Sequence, residues 1–229
     1  MIKQYLASLR NEQTLSDIMN RPCLLIFGHG YTANAFVDYL KNTNWEIFGT
    51  TRSSQNANLL IKKGVKPLTW SDDPKIRSVI DRSDYILHSI PPNELGDPVF
   101  KRFSEAITSR STNLSWFGYL STTSVYGNHD GRWVDENIPV NPSSNRGLLR
   151  VEAENNWSNI NDLPLHIFRL AGIYGPNRNP LDKVRSGKAQ LISKPGQFFS
   201  RIHVEDIARV LKASIEMPNR GAVYNVCDD

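Results

Sequence analysis

The chain has 229 residues, with 27 basic and 23 acidic side chains and a formal net charge of +4. That length suits one well-buried domain. Because the charges are dispersed without a Lys/Arg run, we expect no nucleic acid and no membrane surface as a partner. The two cysteines, Cys23 and Cys227, lack the spacing of a disulfide framework or a zinc site.

Residues 1–22 form a leader in which apolar side chains are scattered among polar ones. The leader lacks the continuous apolar core of a signal peptide, and no apolar run in the chain reaches membrane-spanning length. We therefore expect a cytoplasmic protein in which residues 23–229 form a single domain.

Strand-like and helix-like segments alternate through residues 23–229, which is the pattern of a parallel sheet flanked by helices. Strands are predicted at residues 23–27, 46–51, 66–70, 85–90, 116–121, 166–171 and 223–226. Helical apolar spacing is clear at residues 33–40, 149–160 and 207–215. The predicted fold class is α/β, a doubly wound (Rossmann) parallel sheet with a small C-terminal substrate-binding region.

A glycine turn follows the first predicted strand and opens the first helix. Its residues are Gly28-His29-Gly30-Tyr31-Thr32-Ala33. The first glycine suits a tight turn, the second lets a phosphate approach bare backbone, and the small Ala33 lets helix and strand pack closely. Free N–H groups at the start of a helix attract an anion. The pattern therefore predicts that these six residues bind the pyrophosphate of a dinucleotide.

The end of the second predicted strand indicates which dinucleotide is bound. A carboxylate there binds the ribose 2′-OH of NAD, whereas an arginine accommodates the 2′-phosphate of NADP. This chain has Thr51-Arg52-Ser53 and no acidic residue at that point. We therefore expect NADP, with NAD as the weaker ligand. The alternative is that Arg52 is an ordinary exposed loop arginine.

Ligands of such sheets lie beyond the carboxyl ends of the strands. The fourth strand leads into Ser89-Ile90-Pro91, which we expect to contact the cofactor. The fifth ends near Thr122, and the sixth leads toward Tyr174. Residues 128–145 and 175–200 are rich in Gly, Pro, Asn and Arg, so we expect them to form substrate-side loops over this edge.

Four ordered segments together resemble the extended and atypical short-chain dehydrogenase/reductases, the NAD(P)-dependent epimerase/dehydratase family, and within it the YeeZ-like group. They are the glycine turn, Leu120-Ser121-Thr122-Thr123-Ser124-Val125-Tyr126-Gly127, Arg169-Leu170-Ala171-Gly172-Ile173-Tyr174-Gly175-Pro176 and Arg201-Ile202-His203-Val204-Glu205-Asp206. The resemblance implies a nicotinamide cofactor, hydride-transfer ancestry, a small-molecule substrate that in this family is often a nucleotide sugar, and pairing into a homodimer.

The family's catalytic set is a Ser/Thr, a Tyr and a Lys. The resemblance places the hydroxyl on Thr122, the Tyr on Arg146 and the Lys on Arg150. Arg150 can still bind the nicotinamide ribose, but Arg146 stays protonated and cannot relay a proton. Another group must do so, and Tyr126 is one candidate. The spacing of Arg146, Arg150 and Glu154 on one helix face fits either a solvated charged face or an anion clamp.

Substrate binding is expected at Arg146, Tyr174, Arg178 and Arg201, which lie on or beside the strand-edge loops. In the family the last strand is normally followed by further helical sequence, and that segment is expected to be absent here. Two functions remain open, beside the possibility of a decayed enzyme that binds little. One is an NADP-dependent oxidoreductase or epimerase/dehydratase-like enzyme acting on a hydroxyl or carbonyl carbon. The other is an NADP-binding sensor or partner protein without turnover.

Overall fold

A computed structural model describes residues 21–189, Gly196 and residues 198–228. Nearly all of the predicted leader therefore lies outside the described residues. The strands are β1 (Cys23–Phe27), β2 (Glu46–Thr51), β3 (Lys66–Thr69), β4 (Tyr85–His88), β5 (Trp116–Thr122), β6 (Leu165–Leu170), β7 (Gly172–Tyr174), β8 (Arg201–His203) and β9 (Val223–Val226). The helices are α1 (Tyr31–Tyr39), α2 (Ser54–Lys62), α3 (Asp73–Ile80), α4 (Pro98–Thr108), α5 (Asn145–Ser158), α6 (Pro180–Arg185) and α7 (Val204–Glu216).

Seven strands form one parallel sheet in the order β3-β2-β1-β4-β5-β6-β9. The chain reverses its direction of travel across the sheet between β3 and β4, which is the doubly wound arrangement that the sequence predicts. All seven predicted strands are present, although β4 ends two residues early. The chain leaves the sheet after His88 because Ile90 turns toward Gly28 and the following Pro91 has no N–H to donate.

Each face of the sheet buries its own apolar layer. Strand β1 is buried along its whole length, as a central strand covered on both faces requires. Helices α1 and α7 pack on one face with Phe36 and Leu211, whereas α3, α4 and α5 pack on the other with Phe103 and Trp157. Burying each such side chain contributes roughly 1.5–3 kcal/mol. The two layers fix the strand ends that carry the candidate site.

The segment after β6 is more ordered than the sequence predicts. Strands β7 and β8 form a separate two-stranded parallel sheet, and the predicted loop at residues 175–200 contains the short helix α6. Strands of three residues are too short to show an alternating pattern. Among the described residues, no helix is long and apolar enough to cross a membrane.

Candidate functional site

The glycine turn lies against the loop that follows β4. Gly28 has a φ of +85°, and its N–H donates to Thr50 Oγ1 at 2.8 Å. A Cβ added to Gly28 would lie 2.6 Å from Ile90 Cγ1 and 3.1 Å from the Ile90 nitrogen. The turn therefore needs glycine for its backbone conformation and for this close approach. It also brings together two of the segments predicted to bind the cofactor, since Ser89 N–H donates to Phe27 O at 2.9 Å.

Helix α1 begins without a side-chain cap. Its N-cap is Gly30, whereas each of the other six helices in the described part of the chain begins with a side chain that accepts a backbone N–H. A Cβ added to Gly30 would meet nothing within 4 Å. No side chain at this N-cap accepts an N–H group of the first turn. This geometry fits a pyrophosphate.

His29 lies beneath the turn. Its ring packs against Gly49 on β2, and both ring nitrogens are buried without a hydrogen bond of normal geometry to a described residue. Burial lowers the pKa of His29 to about 4. The imidazole is therefore neutral near pH 7, and the His29 N–H donates to the Thr50 carbonyl oxygen at 3.4 Å.

The end of β2 carries no carboxylate. Thr51 is buried, and its Oγ1 accepts the Ser53 N–H at 3.3 Å. Ser53 caps helix α2 by accepting the Asn56 N–H at 3.2 Å. The side chain of Arg52 is exposed between them. Of the three predicted residues, Arg52 is the one with an exposed, charged side chain.

Thr122 and Arg150 lie at the carboxyl end of β5. Thr122 Oγ1 lies 3.1 Å from Ser124 Oγ and accepts the Ser124 N–H at 3.3 Å. The Arg150 side chain reaches β5 from helix α5, and its Nη1 donates to Leu120 O and to Tyr119 Oη. Arg150 is only 7% exposed. A solvated charged face is therefore the wrong interpretation for Arg150, and also for Glu154, which is 4% exposed.

Arg146 lies one turn earlier on α5 and is exposed. It lines a shallow pocket with Pro92, Asn93 and Glu94, which belong to the loop after β4. Arg146, which the resemblance places at the family's tyrosine, therefore faces solvent beside the predicted cofactor loop. It does not line the pocket that Arg178 and Arg201 share.

The hydroxyl of Tyr126 is bound inside the protein. It accepts from Arg169 Nη1 at 2.8 Å and donates to Asn225 Oδ1 at 2.8 Å. Arg169 in turn pairs with Glu154 at 2.7 Å. Burial opposes the charge of Arg169, but hydrogen bonds to Glu154 and Tyr126 hold its pKa above the ordinary value. In this structure Tyr126 thus links β6 to β9. The signal in the sequence was Arg169 itself, a charged residue in a strand whose other residues, apart from His166, are apolar.

An open cleft of about 940 Å³ lies beside β7 and β8. Tyr174, Arg178 and Arg201 line it together with Trp133 and Asp228, so three of the four predicted substrate residues share one cavity. A hydrogen bond to Asp228 raises the pKa of Tyr174, which therefore stays protonated.

The cleft adjoins the glycine turn. Tyr31 donates from its hydroxyl to Pro176 O at 2.9 Å, and the Arg178 guanidinium lies over the Tyr31 ring at 5.5 Å. The predicted cofactor and substrate residues thus meet at Tyr31.

This arrangement of a doubly wound sheet, an uncapped glycine turn and a cleft beyond the strand ends defines a Rossmann-fold protein. No protein-family model matches the chain. A conserved protein of unknown function from Silicibacter pomeroyi is 49% identical, with 91% of this chain and 73% of that chain covered and a TM-score of 0.86. Protein YeeZ of Escherichia coli K12 is 24% identical over 214 residues, 88% of this chain and 76% of YeeZ.

UDP-glucuronic acid 4-epimerase from Bacillus cereus, solved in complex with NAD, has the same fold. It is 18% identical, with 90% of this chain and 78% of that chain covered and a TM-score of 0.72. The chain belongs to the same family as the Silicibacter pomeroyi protein. Protein YeeZ is a more distant relative of this chain.

Proposed function

We propose that the protein binds NADP and acts as an oxidoreductase or epimerase/dehydratase-like enzyme on a hydroxyl or carbonyl carbon of a small molecule. The observation that carries the proposal is the start of α1 at Gly30, which has no side-chain cap and where a Cβ would meet nothing within 4 Å. The exposed Arg52, with no acid beside it, supports NADP over NAD. Structural relatives that include an NAD-bound epimerase support the general kind of protein.

In this proposal the cofactor-binding and substrate-binding residues have distinct roles. Arg150 binds the nicotinamide ribose, and the Thr122 hydroxyl orients the reacting hydroxyl or carbonyl group. Arg178 and Arg201 bind an anionic part of the substrate, such as the phosphates of a nucleotide sugar. When bound, the nicotinamide donates or accepts the hydride.

The proton must come from a group other than Arg146, because a guanidinium stays protonated near neutral pH. Tyr126 is poorly placed as its replacement, since its hydroxyl already contacts Arg169 and Asn225. These two observations favour a second candidate function, an NADP sensor or partner protein that binds the cofactor without turnover.

Fluorescence titration with NADPH and NADH tests the cofactor assignment. Arg52→Gln should raise the Kd for NADPH about 10- to 100-fold, the range expected for one charged hydrogen bond to a phosphate, and leave that for NADH almost unchanged. Lys62→Gln is the matched control, because it removes an exposed cation at the end of the helix that Arg52 precedes. Tighter binding of NADH than of NADPH by the unaltered protein would refute the Arg52 assignment.

Turnover is tested separately from binding. Purified protein is given aldehydes and ketones with saturating NADPH, and nucleotide sugars with saturating NADP+. Both nicotinamide absorbance and product epimers are monitored. Consumption of NADPH or inversion of a substrate carbon supports the enzyme. Tight NADPH binding with neither change supports the sensor.

A further inference from the structure

One end of the Arg150 guanidinium is hydrogen-bonded to strand β5. Its Nη1 donates to the Leu120 carbonyl oxygen and to the Tyr119 hydroxyl, the latter at 3.1 Å. The guanidinium carbon also lies 5.6 Å from the centroid of the Tyr119 ring. Both N–H groups of Nη1 are thus directed to β5, and the donors on Nε and Nη2 are the ones left for a ligand.

Tyr119 is itself held in place. Its side chain is fully buried, and its ring meets the His88 ring edge-on at 5.0 Å between centroids. His88 Nε2 lies 2.7 Å from Asp97 Oδ2, which also accepts the Trp157 indole N–H at 2.8 Å. Burial raises the pKa of Tyr119, so its hydroxyl remains neutral. The acceptor that Tyr119 offers to Arg150 therefore has a fixed position.

We propose that Tyr119 is a positioning residue, whose hydroxyl orients the Arg150 guanidinium so that its remaining donors face the nicotinamide ribose. The inference rests on the proposed cofactor role of Arg150. A guanidinium is a rigid planar fork, so fixing Nη1 with two acceptors also fixes the plane of Nε and Nη2. Without the Tyr119 hydroxyl, Nη1 keeps one acceptor and the plane can rotate about it.

A double-mutant cycle on cofactor affinity tests this inference. NADPH Kd is measured by fluorescence for the unaltered protein, Tyr119→Phe, Arg150→Met and the double variant. We expect Tyr119→Phe to raise the Kd about tenfold in the unaltered background, as for loss of one hydrogen bond to a charged group. In the Arg150→Met background it should change the Kd less than twofold.

Tyr85→Phe is the matched control, since Tyr85 lies at the amino end of neighbouring β4 and packs on Trp45. It should leave the Kd unchanged in both backgrounds. If Arg150→Met does not fold, Arg150→Lys provides the second background, because an ammonium lacks the planar fork.

The outcomes separate the inference from the function on which it rests. An equal effect of Tyr119→Phe in both backgrounds would show a general structural role and overturn the positioning role. No effect in the unaltered background would overturn it as well. If Arg150→Met binds NADPH normally, the cofactor role of Arg150 fails. If the unaltered protein binds neither NADPH nor NADH, the proposed function itself fails.

Discussion

Replacing Glu154 by Gln should destabilise the protein strongly. The Glu154 and Arg169 side chains are only 5% and 9% exposed, and their charged groups make a contact at 2.7 Å and two more at 3.3 Å. Gln keeps the shape of Glu154 but leaves the Arg169 charge without its counterion. Breaking a buried pair in this way costs about 3–5 kcal/mol. For a chain of this length, that cost corresponds to a fall of about 6–20 °C in Tm.

Chemical denaturation at pH 7, followed by circular dichroism, measures the effect. Glu105→Gln is the control, because it makes the same exchange at an exposed position on α4 and should change stability by less than about 0.5 kcal/mol. Joint replacement by Glu154→Leu and Arg169→Met should recover much of the loss, since no charge then remains buried without a partner. A loss below about 1 kcal/mol for Glu154→Gln would refute the reasoning, because a buried pair cannot be broken so cheaply.

Two further changes test the glycine turn. Gly28→Ala should lower Tm and raise the NADPH Kd more than about tenfold, because Gly28 has a positive φ and the new Cβ would lie 2.6 Å from Ile90 Cγ1. Gly64→Ala is the control, because Gly64 has a positive φ but its Cβ would meet nothing within 4 Å. It should change Tm alone. The pKa of His29 is about 4 in the folded protein and about 6.5 when unfolded, so its contribution to stability is full above pH 6.5 and is lost as pH falls toward 4. The free energy of unfolding, measured by urea titration, should therefore be lower at pH 4.5 than at pH 7. We expect His29→Asn to reduce this difference by up to about 3 kcal/mol. A difference of the same size in the variant would contradict the burial argument.

The sequence predicts the sheet better than it predicts the side-chain environments. Strand β1 is a continuous apolar run and the helices have clear apolar faces, so hydrophobic periodicity was enough to place them. The resemblance to a known family placed Thr122 and Arg150, and the structure brings both to the carboxyl end of β5. Strands β7 and β8 were missed because three residues carry no periodic signal.

Helical spacing could not distinguish Arg146 from Arg150. Positions four residues apart lie on the same face of a helix, yet one side chain is exposed and the other is buried. The difference depends on what lies opposite each turn of α5. Arg150 faces Tyr119 and the Leu120 carbonyl on β5, whereas Arg146 precedes that contact and meets the loop after β4. Such information comes from tertiary packing, which a single sequence does not contain.

Because Arg146 and Arg150 lie in different environments, we assign cofactor binding and proton transfer to different residues. In the proposed function Arg150 retains the ribose-binding part of the family's Tyr and Lys pair, because its charge is fixed beside β5. Arg146 cannot take over the proton-transferring part. Turnover would therefore need a neutral hydroxyl at the cleft, and Tyr174, protonated beside Asp228, is one that the cleft contains. If Tyr174→Phe abolishes turnover while leaving NADPH affinity unchanged, the enzyme has a relocated proton donor; full turnover in that variant would rule Tyr174 out.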